Sequence, residues 1–185
     1  MENLFFDKKE LKYCGENVII GKTVRIRKPQ EVIIGDNVII DDFTYIPCSL
    51  EIGSYTHIGS NCSFIGGAGK VKIGSFVNIA PSCQIITASN DYYGGALVGP
   101  AIPNEFAGKA IIEPVEIGDF VLLACNTTIL PGAVLPEGMA TGVFTLIRKQ
   151  NYKEWSLYVG IPCKYMSMRD GTEIKESAQQ LFNIK

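Results

Sequence analysis

A six-residue repeat runs through the middle of the chain, and it limits the fold more than any other feature. Each unit has an aliphatic residue first, a small residue second and a short or β-branched residue fifth. Clear copies begin at Ile52, Ile58, Ile73, Ile79, Ile117 and Leu123, and weaker copies begin at Ile20 and Ile34. A unit this short cannot bury its own core, so it must be one side of a coil that stacks on its neighbours. The repeat therefore predicts a β-solenoid.

The dimensions of the coil follow from the same pattern. Short apolar runs with period-two alternation are interrupted every few residues by Gly, Pro or Asp-Asn, which is typical of strands of about three to five residues. Three strands with their corners give a triangular coil of about 18 residues. We predict an all-β, single-domain protein over 1–185, with an N-terminal cap at 1–16, a β-helix at 17–147 and a tail at 148–185.

Composition narrows the classes of function. Charged residues make up 19% of the chain and the net charge is -2, so neither a nucleic-acid footprint nor a polybasic membrane patch is indicated. The first residues lack the basic region of a signal peptide, and the longest apolar stretch, at 120–125, is far shorter than the roughly 20 residues of a membrane span. We therefore expect a cytoplasmic protein with no nucleic-acid partner.

The metal-binding residue types are few or poorly spaced. The six cysteines form no C-x-x-C pair, and we interpret them as reduced residues that fill space. The chain has one histidine, so a subunit cannot supply the three histidines of a carbonic-anhydrase type of zinc site. We expect no metal.

Two segments outside the repeat have helical patterns. Residues 6–14 are predicted to form a short helix, because Asp7 and Glu10 have capping-box spacing and Phe6 could pack on Leu11. Residues 170–182 place Ile174, Ala178 and Leu181 on one helical face. We expect this second helix to cover the open end of the solenoid, where exposed strand edges would otherwise pair with other chains.

The repeat is interrupted at 87–113 by a segment that is polar, aromatic and rich in turn formers. A long loop inside a compact repeat is usually functional. Tyr92 and Tyr93 could stack on a sugar or a nucleotide base, and Asn104 and Glu105 could bind sugar hydroxyls. The same tyrosines could instead pack the loop onto the coil.

The repeat, the loop and the sequence Tyr-Val-Gly-Ile-Pro-Cys-Lys at 158–164 together resemble the hexapeptide-repeat acyltransferases. The likeness extends over about residues 15–170 and is greatest for the galactoside and maltose acetyltransferase branch and relatives that modify surface-polysaccharide sugars. It implies a left-handed parallel β-helix, although general chain physics favours right-handed crossovers. It also implies a homotrimer, with acetyl-CoA between neighbouring solenoids and the acceptor sugar beneath the loop.

Acetyl transfer from a thioester needs a base for the acceptor proton, a donor for the oxyanion and a slot that aligns the pantetheine arm. The resemblance implies a histidine base at the start of the loop, where this chain has Asn90, and a supporting asparagine at Asn61. An amide cannot act as a base at neutral pH. The chain therefore departs from the family's pattern at the residue expected to supply the base.

Two side chains could replace the missing base. Asp91 follows Asn90 in the loop, and its carboxylate could accept the proton or hold a sugar amine, although it could also cap the loop as an Asx turn. His57 is the only histidine in the chain, and a histidine at this position could equally be a packed or surface residue. A third alternative is an amine acceptor that needs no side-chain base. The missing histidine favours an amine over a hydroxyl, since the amine is the better nucleophile.

The resemblance also implies a coenzyme A site. Small residues after the loop would let the pantetheine arm approach the backbone, the tail would flank the adenine, and nearby cations would bind phosphate. The residues in these positions are Ala124, Thr141 and Gly142 along the arm, Gly160, Ile161 and Pro162 at the adenine, and Arg148, Lys149 and Lys164 as cations. These cations could instead form a solvated rim.

We predict an acetyl-CoA-dependent acetyltransferase that acts on an amino or hydroxyl group of a nucleotide-linked or surface-polysaccharide sugar, in a pathway such as lipopolysaccharide biosynthesis. The alternative is a non-catalytic solenoid that binds or scaffolds, which missing catalytic residues could also signify.

Overall fold

The structure, a computed structural model, describes residues 2–90 and 93–183. Short strands stack in parallel into three flat faces, A, B and C, of a triangular prism. The predicted left-handed parallel β-helix is confirmed. In chain order the strands are β1 (Tyr13–Cys14), β2 (Ile19–Ile20), β3 (Arg25–Ile26), β4 (Val32–Ile34), β5 (Ile39–Ile40), β6 (Tyr45–Ile46), β7 (Ser49–Ile52), β8 (His57–Ile58), β9 (Ser63–Ile65), β10 (Lys70–Ile73), β11 (Asn78–Ile79), β12 (Gln84–Ile86), β13 (Ala88–Ser89), β14 (Ile111–Ile112), β15 (Val115–Ile117), β16 (Leu122–Leu123), β17 (Thr128–Ile129), β18 (Val134–Leu135), β19 (Ala140–Thr141), β20 (Leu146–Ile147), β21 (Ser156–Val159) and β22 (Lys164–Met168).

Each coil contributes one strand to each face. Face A contains β1, β4, β7, β10, β15 and β18; face B contains β2, β5, β8, β11, β16, β19, β21 and β22; face C contains β3, β6, β9, β12, β17 and β20. The register repeats from coil to coil, so that Ile34 pairs with Ile52 and Ile58 with Ile79. The first residue of each hexad therefore points inward, and these aliphatic side chains form a continuous buried core.

The small second residue of the hexad has a steric cause. A Cβ atom added to Gly53 would lie 2.6 Å from the backbone of Gly74 and Ser75 in the next coil. Larger side chains at this position would force the coils apart. The corner after face A then places a residue in the left-handed region, as at Asn37, Tyr55 and Phe76, whose φ angles are 56°, 57° and 58°.

The N-terminal cap is shorter than predicted. The capping box of Asp7 and Glu10 is present, but it begins a 3-10 helix of three residues, Lys8–Glu10, rather than a helix over 6–14. Strand β1 starts at Tyr13, so the solenoid begins earlier than residue 17. A helix through this segment would have prevented Tyr13 and Cys14 from pairing with Ile33 and Ile34 on face A.

The C-terminal helix α1 (Thr172–Asn183) is present, but it lies along the side of the prism rather than over its end. Its Phe182 ring contacts Tyr55 and Phe76 edge-on, and its Lys175 pairs with Glu137 at 2.6 Å. The helix therefore crosses several coils. The physical reason is a column of aromatic corner residues that offers it an apolar surface. Within the described ranges, no helix has the length and apolarity needed to cross a membrane.

Two more strands are added to face B beyond β19. Strand β21 extends face B by pairing in parallel with β19, and β22 then pairs with β21 in antiparallel orientation. The tail at 148–185 thus contains part of the solenoid.

The loop leaves the prism through a narrow neck. Strands β13 and β14 pair in antiparallel orientation, with Ala88 opposite Ile112. The coils on either side keep their register, since Gln84 on β12 pairs directly with Thr128 on β17. The neck holds the loop at the corner between faces C and A.

Candidate functional site

A polar cluster on the outside of the prism surrounds His57 on face B. The Nε2 atom of His57 lies 2.8 Å from Oδ2 of Asp41, and its Nδ1 atom lies 3.0 Å from Oδ1 of Asn78. The three residues come from three successive coils. Somewhat less than half of the His57 and Asp41 side-chain surface is exposed, so the cluster is accessible to a ligand.

The repeat explains how these side chains meet. Residues His57 and Asn78 are register partners on β8 and β11 and point outward from face B. Asp41 directly follows β5, at a position that is small in the other coils from β2 to β19. The residues at this position are Gly21, Asp41, Gly59, Ala80, Ala124 and Gly142. An aspartate in a column of glycine and alanine was a signal in the sequence, and the sequence analysis missed it.

The two adjacent aspartates of this coil have different roles. Oδ1 of Asp42 accepts hydrogen bonds from the hydroxyl of Thr23 at 2.7 Å and from its backbone N–H at 2.8 Å. These bonds lower the pKa of the Asp42 carboxyl group. Asp42 therefore links two coils, whereas Asp41 points to the histidine.

A groove of about 520 Å³ lies next to this cluster, between helix α1 and face B. Its floor includes Asn78 and Leu122, and its helical wall includes Ile174, Ala178 and Leu181, the three residues that the sequence placed on one face. Arg169 and Glu173 add charge at the rim. Asn78 therefore connects the histidine to a concave surface that is mostly apolar.

The loop residues of the predicted sugar site lie elsewhere. Asn90, Tyr93, Asn104 and Glu105 are all exposed, and Asn104 and Glu105 belong to a turn that the hydrogen bond from Phe106 N–H to Pro103 O closes. Asp91 and Tyr92 lie outside the described residues. Among the described residues, the hydrogen-bond partners of the His57 ring are Asp41 and Asn78, and neither Asn61 nor Asn90 is one of them.

The backbone conformation at position 61 explains why asparagine is found there. It occupies the left-handed corner after face B with φ of 58°, where asparagine is favoured over most other residues. Ser82 and Asn126 occupy the same corner in the next two coils, with φ of 64° and 60°. The side chain of Asn61 is exposed at this corner.

Two of the small residues predicted for the pantetheine arm are also explained by packing. A Cβ on Gly142 would lie 2.8 Å from Cγ1 of Val159, so the next coil already requires glycine. The buried Thr141 hydroxyl accepts a hydrogen bond from the backbone N–H of Ala124 at 3.0 Å. Both interactions hold the last coils together without any ligand.

The predicted cations and tail residues lie at the same end of face C. Leu146 on β20 donates its N–H to Gly160 O at 3.0 Å and accepts from Cys163 N–H at 3.1 Å, which fixes the turn that contains Ile161 and Pro162. Lys164 is exposed at the start of β22. Arg148 is exposed two residues after Leu146, and Lys149 forms a 2.7 Å ion pair with Glu113 at the base of the loop.

No group of three or more metal-ligating side chains occurs in the part of the chain that the structure describes. The cysteines are unpaired thiols, and Cys48, Cys62, Cys83 and Cys163 are buried. Burial raises the pKa of the Cys48 thiol to about 11.

Comparison with known proteins identifies relatives over most of the chain. A family model described as bacterial transferase hexapeptide (six repeats) matches residues 31–66. A dTDP-4-amino-4,6-dideoxy-D-glucose acyltransferase of Escherichia coli is 33% identical over 161 residues, which cover 85% of this chain and 82% of that protein.

Solved structures agree with these matches. AntD, an N-acyltransferase from Bacillus cereus in complex with dTDP and 3-hydroxybutyryl-CoA, superposes with a TM-score of 0.88 at 29% identity, over 98% of each chain. A variant of AntD in complex with dTDP-4-amino-4,6-dideoxyglucose and coenzyme A also has a TM-score of 0.88 at 29% identity, over 99% of this chain and all of that one. A maltose O-acetyltransferase from Clostridium difficile 630, at 20% identity and a TM-score of 0.59 over 88% of this chain and 72% of its own, shares the fold. By its sequence identity to the Escherichia coli enzyme, the chain belongs to the hexapeptide-repeat sugar acyltransferase family.

Proposed function

We propose that the protein transfers an acyl group from acyl-CoA to the amino group of a dTDP-linked 4-amino-4,6-dideoxy sugar. The observation that supports this most is the 33% identity, over 85% of the chain, to an enzyme that acylates such a sugar. As a member of this family, the protein is an acyl-CoA-dependent sugar acyltransferase. The proposal adds the nucleotide, the amine acceptor and the preference for N-acylation over O-acylation.

We further propose His57 as the base. It is the only histidine of the chain, its imidazole is held by Asp41, and Asn78 connects it to the groove beneath helix α1. Asp91 is the alternative base, and it lies outside the described residues. Asn90 would then orient the sugar by hydrogen bonds, and Asn61 would bind at the corner after face B.

The remaining groups have supporting roles in this proposal. Tyr92 and Tyr93 stack on the nucleotide or sugar, and Asn104 and Glu105 bind sugar hydroxyls from the loop. Ala124, Thr141 and Gly142 line the path of the pantetheine arm. Coenzyme A phosphates bind the exposed cations Arg148, Lys149 and Lys164, with the adenine against the turn at 160–162.

We propose a single domain that assembles as a homotrimer in the cytoplasm and acts in the synthesis of surface polysaccharide such as lipopolysaccharide. Exposed apolar residues on face B support an assembly, since Ile19 is 60% exposed and Ile39 is 38% exposed. Sedimentation of the purified protein would test this, because the monomer is 20.2 kDa and a trimer is about three times heavier. A stable monomer would contradict the assembly.

The activity is tested by following thiol release from acetyl-CoA with dTDP-4-amino-4,6-dideoxyglucose as acceptor. The matched control is the dTDP-linked 6-deoxy sugar with a hydroxyl at C4. We expect release with the amine and little with the hydroxyl, and acyl-CoAs of increasing length would define the donor. Stabilisation of the fold by coenzyme A without thiol release from any acceptor would favour the alternative of a non-catalytic binding protein.

The base is tested with His57→Ala and Asp91→Asn, made separately. A loss of kcat of about a hundredfold or more in one variant identifies the base, since general acid–base catalysis contributes about that much. If both variants retain near-normal kcat, the amine reacts without a side-chain base.

A further inference from the structure

The carboxylate of Asp41 is placed where the other coils of face B from β2 to β19 have no side chain longer than a methyl group. From Gly21 to Gly142 its column otherwise contains only glycine and alanine, so the fold does not require a carboxylate there. Its Oδ2 atom lies 2.8 Å from Nε2 of His57. Asp42, which follows it, forms the bonds that link this coil to the previous one.

We propose that Asp41 is a positioning residue that holds the Nε2–H tautomer of His57 and leaves Nδ1 as the nitrogen that accepts the proton of the attacking amine. This inference rests on the proposed function with His57 as base. It adds which ring nitrogen reacts and which residue decides it.

The hydrogen-bond chemistry supports this assignment. A carboxylate only accepts hydrogen bonds, so Nε2 must carry a proton whenever it contacts Asp41. A neutral imidazole then has its lone pair on Nδ1. When Nδ1 is protonated, its N–H can donate to Oδ1 of Asn78, which lies 3.0 Å away. Both N–H groups of the imidazolium then have an acceptor. The cluster therefore stabilises the imidazolium form of His57, which exists after the ring has accepted a proton.

The surroundings of Nδ1 also fit an entering amine. Asn78 lies between His57 and the groove of about 520 Å³, and its side chain is exposed. The Oδ1 atom of Asn78 therefore lies at hydrogen-bonding distance from Nδ1 and at the edge of the groove, where a substrate could enter. Rotation of this amide opens that position to the acceptor.

The proton transfer balances as follows. The acceptor nitrogen attacks the thioester carbonyl, a C–N bond forms, and the nitrogen's proton passes to Nδ1. The tetrahedral intermediate then expels the thiolate of coenzyme A as the C–S bond breaks. The imidazolium returns its proton to that thiolate, which leaves the amide, the free thiol and neutral His57.

The kinetic test compares Asp41→Asn with Asp41→Glu and with the control Asp42→Asn. We expect Asp41→Asn to lower kcat about ten- to a hundredfold while KM for the acceptor stays within about threefold, because the amide no longer selects one tautomer. Asp41→Glu should recover part of kcat. Asp42→Asn removes a neighbouring carboxylate that does not contact the ring, so it should retain kcat at temperatures where it is folded.

A spectroscopic test does not depend on turnover. Because His57 is the only histidine, the imidazole nitrogens in a ¹⁵N NMR spectrum all belong to it. At a pH where the ring is neutral, we expect a protonated Nε2 and an unprotonated Nδ1 in the wild type. Asp41→Asn should shift the spectrum towards a mixture of tautomers.

The outcomes separate the two proposals. If the wild type transfers no acyl group to any amino sugar, the proposed function is wrong. If the wild type is active but Asp41→Asn has normal kcat, or the wild-type spectrum shows the Nδ1–H tautomer, the function stands and the role of Asp41 is wrong.

Discussion

The ring of Phe76 stacks on the ring of Tyr55, with centroids 5.1 Å apart and planes 3° from parallel. Phe76 also stacks on Phe120 at 5.1 Å and receives the edge of Phe182 from helix α1. One corner residue thus connects three coils and the C-terminal helix.

We therefore predict that Phe76→Leu destabilises the protein by about 1–3 kcal/mol, because each aromatic pair contributes about 0.5–1.5 kcal/mol beyond its buried area. Urea unfolding, followed by the fluorescence of Trp155, measures this change. The control is Phe144→Leu, since Phe144 has a similar left-handed backbone with φ of 53° but is 61% exposed. Equal effects of the two changes would contradict a role for the stack.

Gly142 provides a test of packing against ligand binding. We predict that Gly142→Ala costs about 1–3 kcal/mol of unfolding free energy, because the new methyl group would overlap Cγ1 of Val159. In the Val159→Ala background the same change should cost little. A double-mutant cycle from chemical denaturation gives the coupling energy. An absence of coupling, together with weaker coenzyme A binding, would instead assign the glycine to the ligand.

Asp42 should make stability depend on acid pH. Hydrogen bonds from Thr23 lower its pKa in the folded state, so its contribution is fully present above the unfolded pKa of 3.8 and is lost as pH falls through the lower folded value. We predict that wild type loses more stability than Asp42→Asn between pH 5 and acid pH. Thermal unfolding at a series of pH values measures the difference. Parallel curves would show that the carboxylate is not coupled to folding.

Coenzyme A binding should depend more on Lys164 than on Lys149. Lys164 is exposed, whereas Lys149 already pairs with Glu113 at 2.7 Å. We predict that Lys164→Ala raises the Kd for coenzyme A about tenfold, which corresponds to ~1.4 kcal/mol, and that Lys149→Ala has a smaller effect. Isothermal titration calorimetry checks this, with Lys12→Ala at the opposite end of the prism as control. Unchanged Kd in both variants would leave these cations as a solvated rim.

Thiol labelling should follow burial. Cys125 is half-buried, and Cys14 is half-buried with a pKa that desolvation raises. Cys48 is buried and its pKa is about 11. Because only the thiolate reacts, we predict that iodoacetamide at pH 8 modifies Cys125 first, Cys14 later and Cys48 only after unfolding. Peptide mass spectrometry gives this order, and rapid labelling of Cys48 in the native protein would contradict the packing.

The repeat pattern was sufficient to predict the solenoid, because the spacing and size of its residues determine how each coil packs on the next. The inward aliphatic residues and the small residue that follows them in most coils could be derived from steric limits on stacked strands. The position of helix α1 could not, because it depends on aromatic corner residues that are far apart in sequence and stack only after coiling. The sequence predicted that helix α1 covers the end of the solenoid, whereas the column of aromatic corner residues holds it against the side of the prism.

The candidate site was predictable only in part, for a similar reason. His57 was identified as the single histidine, but its partners come from the coils before and after it. Asp41 could have been found by aligning the hexads and noting the odd residue in a column of small ones. Asn78 needed the register of β8 and β11.

The neck formed by β13 and β14 has a consequence for how such enzymes diversify. The strands on either side of the neck stay in register, with Gln84 opposite Thr128. The stacking of the coils therefore does not depend on the sequence beyond the neck. We expect insertions, deletions and whole-segment exchanges beyond the neck to leave the packing of the core unchanged. If the loop binds the acceptor sugar as proposed, a change of sugar preference needs changes in the loop alone, and the fold stays the same.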